Sequence, residues 1–312
     1  MPDIVAIGEA MIEFNEEPDG RYRQGFGGDT SNAAIAAARL GAAVRYVTLV
    51  GRDSFGDRLV ELWRREGVDT EFVGRHPSAP TGVYVVNHTA AGHAFTYLRA
   101  GSAASKMTAR DIPAAALAGA TFVHVSAISQ AISMQARTSL EQVFQWAEGE
   151  NNKVNAGRFK VSYDTNLRLK LWPLEGARPV IAETAAKANI LKTSIEDATQ
   201  LTGLSSPDAV ADHYLAAGPQ LVVVTLGAGG VLVATPTKRE VLAAHKVDAV
   251  DATGAGDAFA GALLARLAAG DDAFVAARFA NAAAALATTG YGAVAPLPRR
   301  EAVEGLLKSS NH

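Results

Sequence analysis

From residue 122 to residue 225 the chain repeats one theme, a short apolar run followed by a helix-length stretch. The apolar runs fall at 122–126, 159–164, 189–191 and 221–225. Helical stretches are read at 134–148, 177–187, 195–202 and 207–217. Connections of that length join parallel strands, because a hairpin needs only a few residues. Alternation of strands with helix-length crossovers means a parallel sheet covered on both faces. The expected fold is therefore α/β, a doubly wound and mostly parallel sheet with helices on both faces.

The flanking segments extend this scheme. Residues 4–7 read as a buried first strand ending at Gly8. Residues 11–14 and 22–26 read as a hairpin about the turn Pro18-Asp19-Gly20. Further strands are expected at 44–50, 68–73, 81–87 and 94–99, the last pair turning at Ala90-Ala91-Gly92. A helix is expected at 108–117 and a polar surface loop at 151–157. A strand pair follows at 231–234 and 239–245, and alanine-rich helices at 257–269 and 272–288 close the fold.

Composition excludes several functions. The chain has 312 residues, no cysteine and a net charge of −3. Thiolate metal sites, disulfides and cysteine catalysis are ruled out. The charge suggests no broad nucleic-acid or anionic-membrane surface. No apolar run reaches membrane-spanning length, and the N-terminal segment does not read as a signal peptide. A cytoplasmic protein is expected.

The chemistry concentrates in Asp251-Ala252-Thr253-Gly254-Ala255-Gly256-Asp257, which runs straight into the apolar helix former Ala258-Phe259-Ala260. Glycines let backbone N–H groups converge on a ligand. A helix N-terminus adds unpaired donors and partial positive charge, so the place suits phosphate. Asp257 at its mouth is a helix cap, a metal ligand or a general base. No lysine follows a glycine anywhere in the chain, so this is not a Walker A loop, and the G-x-G-x-x-G spacing is absent too. A second glycine pair, Gly27-Gly28, precedes a helix starting near Asp29 or Thr30. Asn32 in its first turn is a local cap or a partner for a ligand hydroxyl.

In open α/β sheets ligands bind beyond the carboxyl ends of the strands. Five polar or glycine-rich clusters fall there: Gly8-Glu9, 164–168, Thr193 with Glu196, 225–230, and the Asp251 loop.

Gly27-Gly28-x-x-x-Asn32 together with Asp251-x-Thr-Gly-Ala-Gly-Asp257 resembles the ribokinase-like (phosphofructokinase B) sugar kinases, from Ile4 to about Pro298. Within that family the 2-keto-3-deoxygluconate kinases are resembled by Gly8-Glu9-Ala10-Met11, by 28–32, by 95–103 and by 163–172. The resemblance implies one kinase domain over 1–312 with a discontinuous β lid at about 12–26 and 68–100. It implies ATP and Mg²⁺, with Asp257 as base and the backbone of Gly254, Ala255 and Gly256 as anion hole. Gly28 and Asn32 would bind sugar hydroxyls, with Tyr84, Tyr97, Arg99 and Arg168 near the substrate. Thr193, Thr225, Gly227, Gly230 and Asn281 would meet the nucleotide. Glu196 would hold Mg²⁺ through water, and Asp251, with Thr253 and the 290–292 turn, would form a K⁺ site. Two positions depart from the family pattern: Thr193 replaces the Asn of Asn-x-x-Glu, and Ala252 replaces a polar or β-branched residue.

An acidic sugar needs cationic partners, and arginine matches a carboxylate with two parallel hydrogen bonds. Arg99 and Arg168 fit that need, which favours a sugar acid. A kinase for fructose, ribose or a nucleoside stays open, as does a non-catalytic sugar- or nucleotide-binding module. Exposed lid edges suggest a homo-oligomer.

Overall fold

The computed structural model describes residues 1–89, 92–149 and 159–309. The expected turn residues Ala90 and Ala91 and the polar loop at 151–157 lie outside them. The strands are β1 (Ile4–Ile7), β2 (Met11–Glu16), β3 (Tyr22–Gly27), β4 (Val44–Gly51), β5 (Val73–His76), β6 (Gly82–Thr89), β7 (Gly92–Leu98), β8 (Phe122–Ser126), β9 (Lys160–Asp164), β10 (Ile190–Ser194), β11 (Leu221–Thr225), β12 (Val231–Ala234) and β13 (Arg239–Leu242).

Two sheets result. The larger has the order β13-β12-β11-β10-β9-β8-β1-β4-β5. It is parallel from β11 to β5, and β12 and β13 add antiparallel strands at one edge. Neighbouring residues of a strand face opposite sides. Ile4 and Ala6 join one buried cluster with the helices Asp29–Arg39, Ala255–Ala268 and Ala273–Ala287, while Val5 and Ile7 join another on the far face. Each of the Ile and Val side chains contributes roughly 1.5–3 kcal/mol by leaving water. This double burial is why the strands read as continuous apolar runs. The smaller sheet has the order β3-β2-β6-β7, antiparallel except for the parallel pair β2–β6.

Three segments differ from expectation. Residues 68–73 form no strand of the smaller sheet. An isolated bridge joins Arg45 to Asp69, and β5 pairs with β4 at the edge of the larger sheet. The region carries few apolar residues to mark register, and the Arg45–Asp69 ion pair at 2.7 Å anchors it. The helix expected at 108–117 is broken into a single turn at Ala109–Asp111 and a short helix Ala114–Leu117. Pro113 lies between them, and a proline disfavours helical backbone in the residue before it. The helix expected at 177–187 starts earlier, at Leu174, with Pro173 as its N-cap.

What positions the site is the crossing of the helices Asp29–Arg39 and Ala255–Ala268. A Cβ on Gly261 would lie 2.2 Å from the Ala33 carbonyl oxygen and 2.8 Å from the Ala36 Cβ. Small residues on both helices let the backbones approach this closely. At its far end the first helix is fixed by Arg39, which donates to both Glu66 carboxylate oxygens at 2.9 Å and to the Leu297 carbonyl at 2.6 Å.

Candidate active site

The close helix crossing brings Asn32 and Asp257 together, although 225 residues separate them. Asn32 Nδ2 donates to Asp257 Oδ2 at 2.8 Å. Asn32 is buried, and its Oδ1 has no hydrogen-bond partner among the described residues. A buried acceptor left unpaired is costly, so Oδ1 is suited to accept from a ligand hydroxyl.

Asp257 lies in the first turn of its helix behind Gly254, whose φ of 79° favours glycine. Burial pushes the Asp257 carboxyl up to about 7, helped by the charge of Asp29, while the Asn32 amide and the Lys192 ammonium pull it back. A carboxylate with that affinity for protons is matched to general-base work near neutral pH.

The loop itself is held by Asp251. Its Oδ1 accepts from the Thr253 N–H at 2.9 Å and from the Thr253 hydroxyl at 2.7 Å, and its Oδ2 accepts from the Gly292 N–H at 2.9 Å. The Asp251 loop and the 290–292 turn are thereby tied together. Ala252 is exposed, so its departure from the family pattern disturbs no packing.

The ends of β9 and β10 contribute a buried ion pair. Lys192 Nζ lies 2.8 Å from Asp164 Oδ2, and the two residues are register partners on adjacent strands. Burial disfavours the ammonium, but Asp164, Asp257 and Asp197 outweigh it and raise the lysine pKa. Beyond β9, Asn166 has a positive φ of 21° and donates through Nδ2 to Asp29 Oδ2 at 2.9 Å. A non-glycine residue held in such a conformation is characteristic of functional sites. Here it bolts the β9 loop to the helix that carries Asn32.

The substrate-side residues separate into two groups. Gly28, with φ of 113°, sits against the Glu9–Ala10 segment that joins β1 to β2, where a Cβ would meet the Glu9 carbonyl at 2.3 Å. Tyr84 is buried and donates to Glu13 Oε2 at 2.5 Å, and its ring lies 5.9 Å from that of Tyr97. Arg99 is already paired: its guanidinium meets the buried Glu9 carboxylate, which also accepts from the Ser102 hydroxyl at 2.5 Å. Arg168, in contrast, is exposed, and its guanidinium donates to the carbonyl of the adjacent Leu167 at 2.9 Å. Lys170, two residues on, reaches the Phe95 carbonyl of β7 at 3.5 Å, so this segment borders the smaller sheet.

The nucleotide-side residues also divide. Thr225 ends β11, and Gly227 and Gly230 have φ of 56° and 94°. A Cβ on Gly230 would lie 2.0 Å from the Leu242 carbonyl oxygen, and Asn281 Nδ2 donates to the next carbonyl, Ala243, at 2.7 Å. Gly230, Asn281 and the segment after β13 therefore converge. Thr193 is turned inward: its hydroxyl accepts from Thr165 at 2.8 Å and donates to the Ser194 carbonyl at 3.1 Å, which leaves it no free donor for a nucleotide. Glu196 is exposed in the first turn of the helix Ile195–Thr202. Among the described residues no group of three or more His, Asp or Glu is placed to hold a metal. Such a site fits Mg²⁺ carried by substrate phosphates and water rather than caged by protein.

A cleft of about 1030 Å³ opens between the β2–β3 hairpin and residues 291–295. It touches Glu13 and Gly292 but neither Asn32 nor Asp257, so it neighbours the reacting groups without containing them. We place the chemistry by the side-chain convergence at Asp257.

Asp29 and Lys192 carry no role in the sequence reading, and Asp164 and Asn166 enter it only as members of the 164–168 cluster. The available signal was charge inside apolar strands, Lys192 after Ile190-Leu191 and Asp164 after Tyr163.

A parallel sheet with a phosphate-suited loop and a half-buried carboxylate base defines a phosphotransferase site, and comparison with known proteins agrees. The pfkB family carbohydrate kinase profile matches residues 1–300. The chain is 33% identical over 320 residues to a 2-dehydro-3-deoxygluconokinase of Thermoproteus tenax, covering 99% of this chain and 95% of that one. It is 32% identical to an aminoimidazole riboside kinase of Salmonella typhimurium, covering 99% and 96%. A crystal structure of Vibrio cholerae fructokinase with fructose, ADP and calcium superposes with a TM-score of 0.87 at 31% identity, covering 98% and 99%. The chain belongs to the PfkB family of carbohydrate kinases and is an ATP-dependent sugar phosphotransferase. No helix among the described residues is long and apolar enough to cross a membrane.

Proposed function

We propose that this kinase phosphorylates the primary hydroxyl of 2-keto-3-deoxygluconate. The observation that carries the reading is Arg168, an exposed guanidinium in the segment after β9, two residues before the Lys170 that reaches the smaller sheet. It is available to a substrate carboxylate, which a neutral sugar does not possess. Arg99, neutralised by Glu9, shapes the wall beside it rather than supplying net charge.

In the proposed reaction Asn32 Oδ1 accepts from a sugar hydroxyl while Nδ2 orients Asp257. Asp257 takes the proton of the primary hydroxyl as that oxygen bonds to the γ-phosphorus of ATP. The bond from that phosphorus to the β,γ-bridging oxygen breaks, and ADP leaves. The N–H groups of Gly254 and Gly256 face the charge on the transferring group, while that of Ala255 donates to the Ala252 carbonyl at 3.2 Å and closes the turn behind them. Phosphoryl transfer depends mainly on positioning and charge stabilisation, so no covalent intermediate is needed. Glu196 would hold Mg²⁺ through water, and the metal would supply screening of the phosphate charges. The smaller sheet serves as a lid that excludes water, and the Asp251 loop with the 290–292 turn offers a K⁺ site. The V. cholerae fructokinase, in a double mutant, has been crystallised with a potassium ion bound.

Turnover on 2-keto-3-deoxygluconate, its galactonate epimer, fructose, ribose and aminoimidazole riboside tests the assignment. Preference for the keto-deoxy acids is expected. In Arg168→Met the KM for those acids rises about 10–100-fold, the loss of one charge-assisted pair of roughly 1.5–3 kcal/mol. The KM for any neutral sugar barely moves. Equal loss on acid and neutral sugars would remove Arg168 from carboxylate recognition, and activity on neutral sugars alone would replace the substrate assignment.

The smaller sheet ends in β3 and β7, where Tyr22 and Leu98 are exposed. Unpaired edges of this kind favour pairing with a second copy, and light scattering that gives a monomer mass would exclude it.

A further inference from the structure

We propose that Lys192 is a catalytic residue that contacts the transferring phosphoryl group, standing in from β10 for the lysine that the glycine loop lacks. The inference rests on reading Gly254–Asp257 as the phosphoryl site.

Three observations carry it. The first is position. A Cβ built on Gly256 would lie 3.2 Å from Lys192 Nζ and 3.7 Å from its Cε. Gly256 is one of the anion-hole residues, so the ammonium lies beside the same hole and no side chain stands between them. A residue larger than glycine at 256 would crowd that approach.

The second is hydrogen-bond capacity. A lysine ammonium has three donors. Among the described residues Lys192 donates one hydrogen bond, to Asp164 Oδ2 at 2.8 Å. Donors remain for a phosphoryl oxygen without any loss of the Asp164 contact. Asp164 fixes the side chain and leaves it part-neutralised, so the ammonium is oriented before the substrate arrives.

The third is cost. Burying an ion pair rarely stabilises a fold relative to apolar residues of similar size. Lys192 and Asp164 are 7% and 3% exposed, and they are the two charged side chains among strand positions otherwise buried as Val161, Ser162, Tyr163, Ile190, Leu191 and Thr193. A pair placed there for stability alone has little to recommend it. A fixed cation beside a site where negative charge redistributes is worth far more, because it acts in a low dielectric without reorganising.

The chemistry balances without a further reactant. Lys192 keeps its proton and breaks no bond; it offsets charge on the equatorial oxygens while Asp257 takes the hydroxyl proton.

Removing Lys192 alone would strand the buried Asp164 charge and endanger folding, so the informative variant removes both charges, Lys192→Met with Asp164→Asn. With its best sugar, this folded double variant is expected to lose about 10²–10³-fold in kcat, the scale of one lost anion-stabilising donor. Its thermal midpoint and its sugar KM stay near those of the wild type. Turnover within about threefold of wild type, under 1 kcal/mol by the usual conversion, would overturn the proposal. A second measurement uses the wild type, crystallised with sugar, ADP, Mg²⁺ and aluminium fluoride. Lys192 Nζ within hydrogen-bond distance of a fluoride supports the role even if the variant fails to fold, and Nζ held away by an intervening group overturns it. Asp257→Asn run in parallel separates the two readings. If it turns over normally, the phosphoryl-site reading itself fails. If it is inactive while the Lys192 double variant is active, only the present inference fails.

Discussion

Asp257→Asn is expected to lower kcat by about 10²–10⁴-fold, the range for loss of a positioned general base. Nucleotide affinity should hold, because the substitution is nearly isosteric and the proposed ATP contacts lie on Gly230, Asn281 and the loop backbone. For the wild type, kcat/KM should rise tenfold per pH unit up to a midpoint of about 7 and then level. That limb should be missing from the residual activity of the variant. Stability supplies a second reading of the same group. The folded-state carboxyl is raised from 3.8 to about 7, chiefly by burial. Between those values the folded chain retains a proton that the unfolded chain has released. Stability therefore falls as pH rises through that window, and the penalty is complete above about 7. Asn carries no such penalty. The melting temperature of Asp257→Asn relative to wild type should thus climb from pH 4 to pH 7 and stay constant beyond. A variant that melts below the wild type at pH 8, and still turns over, would remove Asp257 from both roles.

The parts legible in the sequence were those written in local patterns. The strands 122–126 and 221–225 occur where they were expected because their apolar runs are buried on both faces. The Asp251 loop and the Gly28 turn were legible because glycine density before a helix has few other uses. The mutual placement of side chains was not legible. Asn32 and Asp257 were each singled out, but their hydrogen bond depends on a helix crossing governed by Gly261, a position with no local signature. Lys192 was hidden because a charge inside a strand declares itself only when its neighbour across the ladder, Asp164, is known. Arg99 and Arg168 looked equivalent in sequence; the fold sets Glu9 against one and leaves the other exposed. Thr193 was read by alignment with a motif, yet the Thr165 hydroxyl on the neighbouring segment turns it inward.

Gly261→Ala should disable the enzyme from a position that touches no substrate. The added Cβ would fall 2.2 Å from the Ala33 carbonyl oxygen and 3.0 Å from the Ala37 amide nitrogen. Both are backbone atoms of a helix, so no side chain can swing aside and the two helices must part. Overpacking of this kind costs about 1–3 kcal/mol, measurable as a lower urea midpoint with an unchanged slope. The functional loss should exceed what that destabilisation explains. Asn32 lies one residue before Ala33, and Asp257 one helical turn before Gly261, so the parting stretches the 2.8 Å bond between them. A displacement of about 1 Å at reacting groups is enough for roughly 10²-fold in rate. A double-mutant cycle distinguishes this geometry from general loosening. In the wild-type background Asn32→Ala removes an oriented base contact and should be costly to kcat. In the Gly261→Ala background the contact is already broken, and adding Asn32→Ala should cost little more. If the two losses instead multiply, the helix crossing does not act through the Asn32–Asp257 contact, and the coupling of fold to chemistry must run through another residue of the loop.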